Sequence, residues 1–306
     1  MTQLQAQAGI ISDPIEIGGL QVMRVVDTVE HFSPRVILKD ITYDHLEPHL
    51  DWLLPHFLDE SHKLLLPVQS FLFRTRHHTI MIDSCVGNDK RSGFPQWNNR
   101  QGLFLEDLAA AGFPPGSIDY VFCTHMHVDH AGWNTRRQDG RWVPTFPNAR
   151  YLFKREEFDF WEAREDEISR YTMQDSILPV IEAGQVEWVE KDHAIGDEVY
   201  LESTPGHTPG HSSVHLVSQG KEGVITGDVM VNPVEIAEPH WGQVSDWDRE
   251  QATRTRIEFI EKYCDTDVMI LGSHFAGPTG IYIVSTPEGR RIRFSQGKAK
   301  YLGQHF

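Results

Sequence analysis

Short runs rich in β-branched residues open the chain: Gln21 to Thr28, Val68 to Thr75 and His78 to Ile82 read as strands and predict an antiparallel beginning. Between them, Leu46, Leu50, Leu53, Leu54, Phe57 and Leu58 recur at helical spacing around Pro55, which predicts a broken helical segment over Tyr43 to Leu66, a lid or a dimer surface. A helix is predicted over Leu103 to Ala111, closed by Gly112 and the pair Pro114-Pro115, and a strand over Tyr120 to Thr124. The same rhythm continues with a strand at Arg150 to Phe153, helices at Arg155 to Arg164 and Gln174 to Ala183, and strands around Val186, Val199, Val214 and Val224. A last helix from Asp248 to Tyr263 leads into a strand at Val268 to Leu271. No internal repeat or linker divides the pattern, so one domain over residues 20–306 is expected behind a polar, flexible tail at 1–19.

Composition narrows the class. The chain has 306 residues, with 44 Asp and Glu against 28 Lys and Arg, a net charge of −16. A field of that sign repels phosphate backbones and disfavours nucleic acid as a partner. No run of apolar residues is long enough to span a bilayer and no basic-plus-apolar leader opens the sequence, so neither membrane association nor secretion is expected. Three widely spaced cysteines without a disulfide pattern fit a reducing, cytoplasmic setting, and Cys85 and Cys123 are expected to be packing residues.

Histidine changes the picture. There are 17, and Thr124-His-Met-His-Val-Asp-His130 places four ligand-type residues within six positions at the end of an apolar strand. His125 and His127, two apart on an extended backbone, can converge on one ion, while a turn would aim Asp129 and His130 at a second position close by. Three further candidates each stand where a predicted strand has just ended: His207 in Thr204-Pro-Gly-His, Asp228 in Val224-Ile-Thr-Gly-Asp, and His274 in Met269-Ile-Leu-Gly-Ser-His. Mixed nitrogen and oxygen donors suit zinc, and also manganese, iron or cobalt.

These motifs, with Asp83 in Ile80-Met-Ile-Asp-Ser, occur in the order that marks the metallo-β-lactamase superfamily, and the chain resembles that family from Asp83 to His274. The resemblance implies an α+β fold, a four-layer αβ/βα sandwich with a dinuclear site at one edge of two sheets. It assigns His125, His127 and His207 to one ion, Asp129, His130 and His274 to the other, and Asp228 to a bridge between them. Asp83 would orient a ligand histidine rather than bind metal. Two divalent ions, zinc above all, would hold a bridging hydroxide as the nucleophile, with Asp129 moving a proton and Asp228 holding the pair together. His211, four residues after His207, is expected to support its loop and not to bind metal.

The bridging aspartate separates the chain from antibiotic-hydrolysing β-lactamases, which lack an aspartate at this motif. Length and the long segment before the metal motif look most like lactonases and the related organophosphate and aryl-ester hydrolases; hydrolytic dehalogenases are also similar. A small-molecule lactone or ester is therefore the expected substrate, and a homodimer the expected assembly. Trp133, Asn134, Asn232, His240 and Trp241 follow the metal motifs directly and are expected to wall the substrate pocket. In one respect the chain departs from the quorum-quenching lactonases: the tyrosine they carry three residues after the bridging aspartate is Val231 here, leaving Asn232 as the nearest candidate oxyanion donor. A metal-binding sensor without turnover is the competing class, and the intact ligand set weighs against it.

Overall fold

The computed structural model describes residues 13–190, 192–277 and 280–295. Two seven-stranded sheets form its centre. The first runs Ile15–Ile17, Leu20–Phe32, Leu64–Arg74, Thr79–Ile82, Tyr120–Phe122, Arg150–Lys154, Val186–Val189, antiparallel as far as Thr79–Ile82 and parallel from there. The second runs Ala194–Ile195, Val199–Ser203, Ser212–Ser218, Lys221–Ile225, Met269–Leu271, Gly280–Thr286, Gly289–Phe294, with one parallel pair, Lys221–Ile225 beside Met269–Leu271.

Side chains that alternate along each strand face different cores, as the period of two requires. Ile80, Ile82, Phe122 and Leu152 meet Val214, Leu216, Ile225 and Leu271 between the sheets. Met81, Val121, Tyr151 and Phe153 face the opposite way, onto the helices Phe104–Ala110 and Arg155–Glu162. Val224 and Ile270 turn outward from the second sheet onto Phe259, Ile260 and Tyr263 of the helix Arg249–Tyr263. Helix, sheet, sheet, helix is thus the layer order, an α+β sandwich with three apolar seams.

The strands of Leu64–Arg74 and Leu20–Phe32 are longer than their sequence pattern suggests. Residues 64–73 are buried on both faces, and a strand of that kind shows a continuous apolar run instead of alternation, so Leu64 to Leu66 read as helix. The helical part of the Tyr43–Leu66 segment is three short turns, Tyr43–Leu46, Glu47–His49 and Leu50–Leu53. Leu46, Leu53, Phe57 and Leu58 are packed against Val234, Ile236 and Phe275, so the apolar face read as a lid or dimer surface is taken up by the chain itself. Residues 1–12 of the expected tail lie outside the described residues, and Ile15–Ile17 within it is a strand paired to Leu20–Val22. The helix expected at Gln174 to Ala183 is the end of a longer irregular stretch: Glu167–Thr172, a π turn at Met173–Ile177, then Leu178–Glu182. No helix among the described residues is long and apolar enough to cross a membrane.

The parallel strands matter most for the site. Thr79–Ile82, Tyr120–Phe122, Lys221–Ile225 and Met269–Leu271 end at one edge of the sandwich, and Asp83, His125, Asp228 and His274 follow them by one to three residues. Loops beyond the carboxyl ends of parallel strands are where such sheets place their chemistry.

Candidate metal centre

Seven donors converge at that edge. The ligand atoms of His125, His127, His207 and Asp228 lie within 4.8 Å of one another, as do those of Asp129, His130 and His274. The groups adjoin: Asp228 Oδ2 is 3.4 Å from His207 Nε2 and 3.8 Å from His125 Nε2, while its Oδ1 is 3.3 Å from His274 Nε2 and 3.4 Å from His130 Nε2. One carboxylate therefore faces both groups.

Four of the five donor histidines have a hydrogen-bonded outer ring nitrogen. His130 Nδ1 donates to Asp83 Oδ2 at 2.9 Å, His207 Nδ1 to Asp246 Oδ1 at 3.1 Å, and His274 Nδ1 to the Pro67 carbonyl at 2.9 Å. Thr124 Oγ1 donates to Asp83 Oδ2 at 3.1 Å and so accepts from His125 Nδ1, also at 3.1 Å. With the proton fixed on Nδ1, each of these four rings presents a bare Nε2 inward. His127 presents Nδ1 instead, 2.8 Å from His125 Nε2 and 3.0 Å from His207 Nε2. The remaining close pair is His130 and His274, whose Nε2 atoms are 3.1 Å apart.

Lone pairs crowded together in this way, beside a buried Asp228 Oδ1 without a well-directed hydrogen bond, fit a cation on each side of Asp228. The electrostatics agree. Burial pushes His125 and His127 well below the usual histidine range, helped by the neighbouring imidazoles, so both are neutral donors. Burial opposes charge on His130 as well, but Asp228, Asp83 and Asp129 outweigh it and raise its pKa: this corner attracts positive charge. Burial of Asp228 is likewise outweighed by His130 and His274, which hold its carboxyl well below the carboxylate range.

Local backbone explains the glycines of the motifs. Gly227 has φ +55°, and a Cβ there would stand 2.4 Å from His211 Nε2. Gly206, at φ +134°, would bring a Cβ within 2.3 Å of the Ala252 nitrogen. Both are positions that only glycine fills without displacement. His211 itself lies outside both ligand groups: its Nδ1 donates to the Thr204 carbonyl at 3.0 Å and its Nε2 accepts the Asp228 N–H at 2.9 Å. Burial pushes its pKa down to about 3, so it stays neutral and holds the Asp228 backbone in place.

Sequence reasoning missed Glu157. Wholly buried on the helix Arg155–Glu162, it accepts from Met126 N–H at 3.0 Å and Trp161 Nε1–H at 2.7 Å through one oxygen, and from Gly210 N–H at 2.9 Å through the other. It thereby clamps the loop of His125 and His127 to the loop of His207. A lone glutamate in a helix carries no spacing that announces this.

Above the donors opens a largely apolar cleft of about 250 Å³. His127, Asp129, Asp228 and His274 form its floor; Phe32, Leu66, Val68, Phe94, Trp97 and Trp161 are among its walls, with Val36, Ile168 and Val244 at the rim. The five residues expected to wall the pocket do not line it. Trp133 is buried and stacked on Phe104 with ring centroids 5.8 Å apart, and Asn134 is buried against Ser84 and Cys123. Asn232 is buried with its Nδ2 donating to the Phe57 carbonyl, His240 is exposed, and Trp241 packs on His45 and His49. Asn232 is thus turned away from any oxyanion, whereas Val231 does line the cleft. Cys85 and Cys123 are buried and burial pushes both thiols up, which leaves them inert packing groups.

Residues 64–283 match the profile of the metallo-beta-lactamase superfamily. The chain belongs to that superfamily. It is similar to an N-acyl homoserine lactonase of Bacillus cereus, 28% identical over 180 residues, covering 55% of the chain and 65% of the relative. A second relative, the N-acyl homoserine lactonase AttM of Rhizobium radiobacter, is 29% identical over 129 residues, covering 40% and 44%. The chain therefore spans less than two thirds of each of these curated relatives, 65% of one and 44% of the other. Among solved structures, AidC, a dizinc quorum-quenching lactonase in complex with a product, superposes with a TM-score of 0.79 at 20% identity, over 94% of this chain and 99% of that one. The hydrolase AbOPH of the beta lactamase superfamily gives 0.78 at 22% identity, over 95% and 99%. At such identities the likeness is one of fold, and it extends the metallo-β-lactamase sandwich across nearly the whole chain.

Proposed function

We propose that this member of the superfamily is a two-metal hydrolase of neutral small molecules with an apolar tail, lactones or esters above all. What supports this most is the convergence of seven donors, four of them forming the floor of an apolar cleft open to solvent. Its curated relatives are N-acyl homoserine lactonases, and that substrate joins an apolar chain to a hydrolysable ring, the combination this cleft accommodates.

In this reading His125, His127 and His207 hold one ion, Asp129, His130 and His274 the other, and Asp228 both. Two divalent ions there, zinc being the best match to one set of three histidines and one of two histidines with an aspartate, would supply a water ionised near neutral pH and an electrophile for the substrate oxygen. The protein does the rest. Asp228 fixes the spacing of the two groups through both oxygens. Asp129, on the cleft floor with a side chain 16% exposed, is placed to take a proton and pass it to the leaving oxygen. Phe32, Phe94 and Trp97 hold the apolar tail and keep water from it.

Val231 supports a second reading within the same chemistry. With no tyrosine among the described residues that line it, the cleft offers less help to a poor leaving group, which favours aryl esters or phosphotriesters whose leaving groups depart unaided. A panel of N-acyl homoserine lactones of increasing chain length, p-nitrophenyl esters and a phosphotriester separates the two. Rates with lactones that rise with chain length support the first reading; turnover confined to aryl leaving groups supports the second. Absence of turnover on all three by metal-loaded protein contradicts both and favours a binding protein.

A further inference from the structure

Arg256, on the helix Arg249–Tyr263, is wholly buried. Its Nε donates to the Val229 carbonyl at 2.8 Å and lies 3.2 Å from Glu235 Oε1; Nη1 donates to the carbonyls of Pro239 and Trp241 at 3.1 and 3.3 Å; Nη2 reaches Asp246 Oδ2 at 3.5 Å. Each carboxylate it meets continues toward the donor cluster. Asp246 Oδ2 also accepts from the Gln243 N–H at 2.9 Å, and its Oδ1 receives His207 Nδ1. Glu235 Oε2 accepts from Val231 and Asn232 N–H at 2.7 and 3.0 Å. Gln243 Nε2 links Glu235 Oε1, at 3.2 Å, to the Asp228 carbonyl, at 3.0 Å.

A core that needed only stability would fill this volume with apolar side chains, because buried charges recover their desolvation cost only when fully partnered. Here one arginine and two acids stand behind two donors from different loops, His207 and Asp228. We infer that Asp246, held by Arg256, is the positioning residue of the His125–His127–His207 group, as Asp83 is of His130. The inference rests on the two-metal reading. Asp246 fixes the proton of His207 on Nδ1 and aims Nε2 at the cluster, while the Glu235–Gln243 arm holds the backbone that carries Asp228. Asp83 reaches both ligand groups, His130 directly and His125 through Thr124 Oγ1, whereas Asp246 touches a histidine of one group alone, so substitution of Asp246 is expected to separate the two ions.

Only a carboxylate can accept from His207, Gln243 and Arg256 together; an asparagine would turn its amide hydrogens on one of these donors. The test compares wild type, Asp246→Asn, Asp246→Ala and Arg256→Lys as full-length zinc-loaded protein, with zinc per chain and chelator-driven release as readouts. The d–d absorption of the cobalt-loaded forms reports which ion changes, and near-ultraviolet circular dichroism of the metal-free forms reports the fold. Wild type should release two ions. The Asp246 variants should hold one as wild type does and bind the other about 10–100-fold more weakly. Arg256→Lys keeps the charge without the planar fork and should fall between. Wild-type retention of both ions by folded Asp246→Asn overturns the inference, as does equal weakening of both. Zinc-free wild type that cannot be loaded would instead overturn the two-metal reading, and the inference with it.

Discussion

Asp83 reaches more of the donor cluster than any local spacing suggests. Held at φ +58° just beyond the strand Thr79–Ile82, it accepts from the Thr124 N–H at 2.7 Å, from Thr124 Oγ1 and from His130 Nδ1. It therefore orients His130 directly and His125 through a hydroxyl. Asp83→Ala should weaken zinc binding about 10–100-fold at both groups, as read by competition with a chromogenic chelator. Asp228→Ala should cost more, since it removes the carboxylate that faces both groups. His211→Ala should leave all seven donors but free the buried Asp228 N–H, lowering stability by about 1–3 kcal/mol in denaturant unfolding with a smaller loss of zinc. The ligand-type residues were legible in the sequence because they stand within a few positions of one another or just past strand ends. Asp246, Glu157 and Arg256 were not, because each acts alone from a distant segment and its role exists only in three dimensions.

At the scale of elements, the sandwich was legible wherever strands end in chemistry and less so elsewhere. Tyr120 to Thr124 and Val268 to Leu271 read correctly to within two residues of the strands Tyr120–Phe122 and Met269–Leu271. The hairpin Thr135–Gln138 with Arg141–Pro144 escaped because its exposed strands carry charged residues and no apolar period. The cleft walls could not be read at all: Phe32, Leu66, Phe94, Trp97, Trp161 and Ile168 come from five segments, and the aromatic residues beside the motifs turned inward instead. One short helix has a testable duty. Glu157→Gln keeps the shape of the clamp but replaces one acceptor oxygen with an amide, so one loop loses its anchor. A fall of about 1–3 kcal/mol in stability is expected, with faster hydrogen exchange at Met126 or Gly210.

Over the whole molecule, charge is arranged as well as abundant. On the outer side of the second sheet, Glu202 is gripped by His215 Nε2 at 2.6 Å, Lys262 Nζ at 2.6 Å and Tyr263 Oη at 2.7 Å, tying the last helix to the strands. Burial raises its pKa, but these three partners outweigh it and bring the value down to about 2. A depressed acid stabilises the fold fully above the unfolded value near 4.5, and that contribution disappears as pH falls through about 2. Glu202→Gln should therefore cost about 1–2 kcal/mol at pH 7, reduced by its partial exposure, and the difference from wild type should vanish toward pH 2 in urea unfolding. A net charge of −16 opposes the approach of polyanions, while the cleft sets apolar walls above a floor of ligand-type side chains. Metal content per chain, measured with lactone and aryl-ester turnover before and after chelation, decides whether that floor carries hydrolysis. A two-metal hydrolase holds close to two ions, loses its activity on chelation and regains it with zinc. Protein that holds no metal, or turnover that survives complete chelation, would rule out a two-metal mechanism.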